Sequence, residues 1–537
     1  MNKIFKVIWS KSKQCYIVVS EIAKNKTGKK KIVVASILAA LAMASSVQDV
    51  SAVTGSGGTN NFSNAGTGVS FKQGEGLAIG TNATVASGNT NTVAIGVASV
   101  ANGSSSFAAS GGSTASGKDG QIAIGWSSTN GTGAVAIGGT TDTAGVRDTR
   151  ATGSSAVALG VGSAANGSNA FVASGGSATG NNAIAISGGT ADGNGSIAIG
   201  WQTNAKNDAT AVGSNAQATD KDSVAVGKNS NAAGESATAV GSSATASGRG
   251  GVAVGWNAES AVNAVGVGFN AKAKANNTVA IGVEANNDKD NAISNNYSSV
   301  SVGVATRARA VGSMAMGVSA DASGKYSIAL GSGDVHSDYT ANVKYPKATG
   351  EKAIAIGYNS NSSNTAATAI GAGATASGQD SFAGGSGTAG GNSSIAIGKS
   401  SGATNDRALA VGVNAKATGK DTVAVGSGAG GTVGLGFASS IDDNKGVVQT
   451  IKNINVATTA DGDNAVAVGH YANAMNSGVA LGQNTLAATG GVAIGKGVFE
   501  DTNNVDAGGT VIGQDSTVTG FYSLAVGRYT FASGSTS

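Results

Sequence analysis

The side chains able to do chemistry are few and scattered. In 537 residues there are two histidines, His336 and His470, and one cysteine, Cys15. The two histidines are distant in sequence, and neither has the spacing of a metal site or of a nucleophilic triad around it. The run Gly385-Ser386-Gly387-Thr388-Ala389-Gly390 satisfies G-x-G-x-x-G. No strand–helix context surrounds it, and among 86 glycines such a match arises by chance. The calcium-binding nonapeptide G-G-x-G-x-D does not recur, and Asp442-Asp443 reads as solvated loop charge. These patterns predict no catalytic residue, no metal and no cofactor, and so a binding or structural protein, not an enzyme.

Charge narrows the class further. The chain carries a formal +4, but residues 1–52 hold nine of the 34 basic and two of the 30 acidic residues. The remainder has 25 against 28, net −3, with the charges dispersed. A nearly neutral body offers no stripe to track phosphates, so nucleic acid is not an expected partner. Proline occurs once, at Pro346, and glycine does not fall at every third position, which excludes collagen.

What must position any functional residue is a repeat. The phrase hydrophobic-Ala-hydrophobic-Gly returns nineteen times, from Leu77–Gly80 to Leu524–Gly527. The glycines Gly213, Gly227, Gly241 and Gly255 follow at a step of 14. A fixed step of this size makes each repeat one coil of a stacked structure. A regular apolar register also argues against disorder in a Gly/Ser/Asn/Thr-rich chain.

Alternation within the phrase predicts a short strand, with the glycine allowing a sharp bend after it. A second strand is expected in segments such as Asn270-Ala271-Lys272-Ala273, giving a flattened parallel roll. Val93, Ile95 and Gly96, Val224, Val226 and Gly227, and Val423, Val425 and Gly426 are the expected repeat core. The intervening alanines are then expected to face a neighbouring chain or layer. About 34 coils stacked at ~4.8 Å would make a rod of roughly 160 Å. Two sizeable side chains per coil is a thin core, so association should supply the missing burial.

Lys29-Lys30-Lys31 precede the short apolar run from Ile32 to Met43, and small residues follow. That is the layout of a secretory signal, with cleavage expected between Ala52 and Val53 or, alternatively, after Ala44. The longer basic and amphipathic lead includes Met1-Asn2-Lys3-Ile4, Val7-Ile8-Trp9 and Cys15 through Lys24. It resembles the extended signal peptide region of type V secretion substrates.

The repeats themselves resemble the head of trimeric autotransporter adhesins, the YadA-like head. Asn91-Thr92-Val93-Ala94-Ile95-Gly96 and Asp421-Thr422-Val423-Ala424-Val425-Gly426 carry the likeness. It implies an all-β fold, a left-handed parallel β-roll of ~14-residue coils assembling as a homotrimer. It also implies adhesion to host cells or to matrix proteins of the collagen, fibronectin and laminin class, with autoaggregation. The alternative is a self-associating spacer rod without a host ligand.

On this reading residues 1–52 are the signal, 53–74 a lead-in and 75–436 head repeats with loop insertions. Residues 437–463 are an insertion or neck-like break, and 464–537 further repeats. The repeats run to Ser537 with neither heptad stalk nor membrane-spanning strands after them. Membrane contact is therefore expected only through the signal segment and an anchor this sequence lacks. A longer version would sit at the cell surface, and a chain stopping here would be periplasmic or secreted.

The beat fails at 140–151, 284–298, 332–352, 437–463 and 500–509, which read as protruding loops. Segment 332–352 gathers His336, Asp338, Tyr339, Lys344, Tyr345 and Pro346, making Tyr339 and Tyr345 candidates for ligand contact. The position after the repeat glycine holds Trp126, Trp201, Trp256, Tyr358, His470, Lys228, Lys399, Lys496 and Arg528. As a lateral stripe, Trp126, Trp201, Trp256 and Tyr358 are further contact candidates. Their simpler role is to cover glycines at strand ends. Phe107, Phe171 and Phe382 are expected to fill a wider part of the core.

Overall fold

Each ~14-residue repeat forms two short strands, and successive repeats stack so that each strand hydrogen-bonds its equivalent in the next coil. The computed structural model describes residues 5–10, 15–20 and, from residue 61 on, all but 65–66, 73–75, 87, 111–112, 140–147, 285–297, 335–343, 429–431, 443–445, 456, 501–507 and 534–535. The chain divides into two units, Met1–Thr59 and Asn60–Ser537. In the first, Phe5–Ser10 and Cys15–Ser20 form an antiparallel hairpin that sets Val7 opposite Val18 and Trp9 opposite Tyr16. The expected cleavage point at Ala52 and Val53 lies outside the described residues.

The second unit is a parallel β-solenoid. Val224–Val226 pairs with Thr210–Val212 on one side and Thr238–Val240 on the other, which sets Ala225 between Ala211 and Ala239. The second strand of that coil, Asn231–Ala232, lies between Gln217–Ala218 and Thr245–Ala246. The first ladder has 29 strands among the described residues, from Gly76–Ile79 to Leu524–Arg528. At ~4.8 Å per step it is roughly 135 Å long. That is fewer coils than the repeat step alone predicts, because the insertions lengthen the chain without adding a rung.

The corners explain the sequence around each strand. Gly227 closes its strand at φ 131°, and a Cβ there would stand 2.5 Å from the carbonyl oxygen of Gly241 in the next coil. Only glycine combines that dihedral with that approach. The left-handed conformation then recurs at non-glycine residues: Asn229 (φ 56°) in the corner after the first strand, and Asp222 (φ 57°) and Ser236 (φ 56°) in the corner before it. Asn, Asp and Ser populate these sites in coil after coil because their short polar side chains tolerate the left-handed region best after glycine.

The interior reverses the expectation from the repeat. Ala94, Ala225 and Ala424 are fully buried between the sheets, together with the second-strand alanines Ala232, Ala273 and Ala417. Val93, Ile95, Val224, Val226, Val423 and Val425 face outward and are only half-buried. The reason is space: just four residues, Gly227–Ser230, separate Val226 from the second strand. So tight a corner brings the sheets together at alanine contact in most coils, and a branched side chain enters the layer in few of them, as at Val172, Val511 and Val518. Phe107, Phe171 and Phe382 lie on the same outward face, so they too are not core fillers.

The insertions leave the first ladder unbroken. Val135 pairs with Val157, Val279 with Val300, Ile328 with Ile354, Val423 with Val466 and Val492 with Thr510 across them. Within 437–463 and just before it, Thr432–Asp442 and Gly446–Asn455 form an antiparallel hairpin with a bulge between Ala438 and Ser440. The second ladder is cut once, between Lys272–Ala273 and Arg307–Ala308, where the insertion falls in its place. At the N-terminal edge, Asn61–Asn64 pairs antiparallel with Thr67–Lys72, which pairs antiparallel with Gly76–Ile79. An antiparallel meander thus covers one open edge of the roll.

Candidate functional site

The outward side of the first ladder is a long apolar face among the described residues. Each strand presents two residues there, such as Ile122 and Ile124, Ile197 and Ile199, or Ile354 and Ile356, and the strand register stacks them into two parallel columns. Ile281, Ile370, Ile395 and Ile397 count among the exposed side chains of the lone chain. A continuous apolar face of this length is far beyond the isolated patches of a monomeric surface. The second ladder is mostly polar at the corresponding positions, as at Gln217, Asn231, Thr245, Glu259 and Lys272, the last two paired at 3.6 Å, with Val100, Leu486 and Phe499 as apolar exceptions.

The corner after the repeat glycine carries the aromatic side chains. Trp126, Trp201, Trp256 and Tyr358 are 42%, 66%, 51% and 44% exposed. Trp256 stacks on Phe269 of the next coil, with centroids 4.8 Å apart and planes 17° from parallel. Beside them an amide ladder runs along the corner: Asn215 Nδ2 donates to Asn229 Oδ1 at 3.0 Å and Asn257 Nδ2 to Asn270 Oδ1 at 2.9 Å. The tryptophans do not converge. Trp126 and Trp201 are five coils apart and Trp201 and Trp256 four, or ~24 and ~19 Å along the rod. Trp201 also covers glycine, since a Cβ on Gly188 would lie 3.2 Å from its Cε3.

Tyr358 reaches the insertion that begins after Asp334: its hydroxyl donates to Asp334 Oδ1 at 3.2 Å. Asp334 and Lys344 close the base of that insertion through Asp334 N–H to Lys344 O at 2.9 Å. Tyr345 is half-buried beside it, and Tyr339 lies outside the described residues. Nearby, Arg309 Nη2 holds the buried Asp321 carboxylate at 2.8 Å. Burial pushes the Asp321 carboxyl above its ordinary range against the opposing pull of Arg309, Arg307 and Lys347. The charges at this spot are thus committed to one another.

Two family matches fit this architecture. Residues 1–48 match the Extended Signal Peptide of Type V secretion system. The YadA head domain repeat matches repeatedly between residues 151 and 474, including 205–230, 232–258, 348–374 and 403–429. The chain belongs to the trimeric autotransporter adhesins. No curated protein matches it. The family is non-enzymatic, its members form homotrimers that bind host surfaces, and its signal region and head imply export to the cell surface.

In this adhesin the geometry brings Tyr358 and Tyr345 to the base of one insertion and leaves Trp126, Trp201 and Trp256 on separate coils. Two features escaped the sequence reading. Phe269 occupies the same post-glycine position as Trp256, so its stacking was legible from the spacing. Glu500 is the other. It pairs in register with Val518 and is fully buried in a slot that holds alanine in most coils. Gly491 and Gly509, each just before a first-ladder strand, make the room: a Cβ on Gly509 would lie 2.8 Å from its Oε1, and one on Gly491 would overlap the carboxylate. The carboxylate accepts hydrogen bonds from the backbone N–H groups of Ala488 and Gly509. Burial nevertheless pushes its pKa up to about 7. The signal was a charged residue in an alanine slot flanked by two glycines.

Proposed function

We propose that three copies of this chain pack their Val/Ile faces together, forming a rod-shaped adhesive head. The head attaches the cell to host cells or to matrix proteins of the collagen, fibronectin or laminin class, and to heads on neighbouring cells. The observation that carries this reading is the unbroken outward apolar face, which a lone chain leaves in water and a threefold bundle covers. Contact with ligand then falls to what remains outside: the polar second ladder, the aromatic corner and the insertions. In the cell the head is held at the outer membrane by an anchor.

One observation favours a second reading, a spacer rod without a host ligand: Trp201 covers Gly188, and the tryptophans form no common pocket. Light scattering of the exported chain, then solid-phase binding to collagen, fibronectin and laminin, separates the two. A trimer that binds a matrix protein is expected. A stable monomer overturns the assembly, and a trimer indifferent to all three favours the spacer. If a ligand is bound, Trp126→Ser, Trp201→Ser and Trp256→Ser together should weaken it about tenfold. Unchanged binding by the triple variant at intact trimer mass removes the aromatic corner from the contact surface.

A further inference from the structure

A periodic face raises a problem of register. If the two outward columns held only branched aliphatic residues, one chain could slide along its neighbour by a whole coil. Such a slip would uncover one rung of 29 and keep every other contact chemically equivalent. The outward columns are not uniform, however. In 26 of the 29 described rungs the second outward residue is Val, Ile, Leu or Met. In the remaining three it is Ala109, Ala173 or Gly384, and these are the three rungs whose first outward residue is phenylalanine: Phe107, Phe171 and Phe382.

Size is therefore exchanged within the rung. A Cβ on Gly384 would lie 3.3 Å from Cε1 of Phe382, so the ring leans over the empty position, and its dihedral is not one that requires glycine. Where other rungs offer two side chains of similar size, mostly branched, these offer one aromatic plate. We infer that the three Phe/small rungs are register marks that hold three copies of this chain level along the rod. The inference rests on the trimer reading above.

In register, rings from three chains meet at each of the three levels, where aromatic contact adds to burial. A slip of one coil sets every ring against branched side chains and every branched pair opposite against a plate, which close packing resists. The marks lie at rungs three, seven and twenty-one of the ladder. Their intervals are four, fourteen and eighteen coils, all different, so no slip aligns more than one level with another. Even the smallest of these uncovers four rungs. Unequal spacing makes the level arrangement unique, a device directed against the alternatives a repetitive sequence otherwise permits.

The test uses two differently tagged copies of the full chain in a Cys15→Ser background, co-expressed. One carries Val226→Cys. The other carries either Val226→Cys, on the same rung, or Val240→Cys, on the next. Disulfides demand close Cβ approach, so the ratio of same-rung to next-rung cross-link reports register. The native rungs should favour the same rung by about tenfold or more. Replacing Phe107→Val with Ala109→Ile, Phe171→Val with Ala173→Ile and Phe382→Val with Gly384→Ile should bring the ratio close to parity at unchanged trimer mass. The pair F382V/G384I alone, which alters one level, should lower it partway and serves if the six-residue variant does not fold. A ratio that stays high in a trimeric variant overturns the register marks. A wild-type chain that is not trimeric overturns instead the reading on which they rest.

Discussion

The two sheets of a coil share an interior and differ only outside. Both contribute alanine to the core, Ala225 from the first and Ala232 from the second, each fully buried. Outward, the first sheet shows Val224 and Val226 where the second shows Asn231. The core therefore sets the shape of the rod without distinguishing its sides. On the proposed function the outward residues assign the sides their tasks, one to other copies of the chain and one to water and whatever it carries.

Substitutions in one coil can break this comparison. The largest effect is expected from Val226→Asp, which in the proposed trimer places a carboxylate from each chain in a dry apolar contact. Light scattering should then give the mass of a single chain with the strand content retained. A trimer that persists would move the contact to another face. Next is Ala225→Leu: added methylenes have nowhere to go between the sheets, and denaturant unfolding should show a loss of ~1–3 kcal/mol or more. A Leu accommodated without cost would mean the sheets are not in alanine contact.

Glu500 sharpens the comparison by breaking the interior rule at one coil. A glutamate in the unfolded chain titrates near 4.5, and in the fold its pKa is about 7. Between those values the folded state holds a proton the unfolded state has released. Its stabilising contribution is thus complete below pH 4.5 and is lost as pH rises through about 7. Glu500→Gln should flatten the pH dependence of unfolding of the C-terminal coils over that window, measured by hydrogen exchange. The same slope in both proteins would assign it to another group. The smallest effect is expected from Asn231→Ser on the water-facing side, within about 0.5 kcal/mol of the parent.

Much of the roll was legible in the chain. The coil step, the strand in each Val-Ala-Ile-Gly phrase, the bend at its glycine and the second strand through Asn-Ala-x-Ala all follow from spacing and residue type. The acceptance of left-handed dihedrals by Asn229, Asp222 and Ser236 was legible too, in the regular Asn, Asp and Ser at the corners, but went unread beside the glycines. Of the contact candidates, the sequence placed Trp126, Trp201, Trp256 and Tyr358 on one corner. The coil step also sets the first three several coils apart, since they are 75 and 55 residues from one another. Glu500 marks the limit, since its burial depends on the room left by Gly491 and Gly509.

By itself the sequence determined that each strand has a small face and a large face, for a period of two admits nothing else. Which face lies inside was decided only by the tertiary structure. Corners of four or five residues draw the two sheets to alanine contact in most coils, and there the branched residues point outward, with Val172, Val511 and Val518 as inward exceptions. The same closeness that gives the lone chain so slight a core leaves its apolar columns free for other chains.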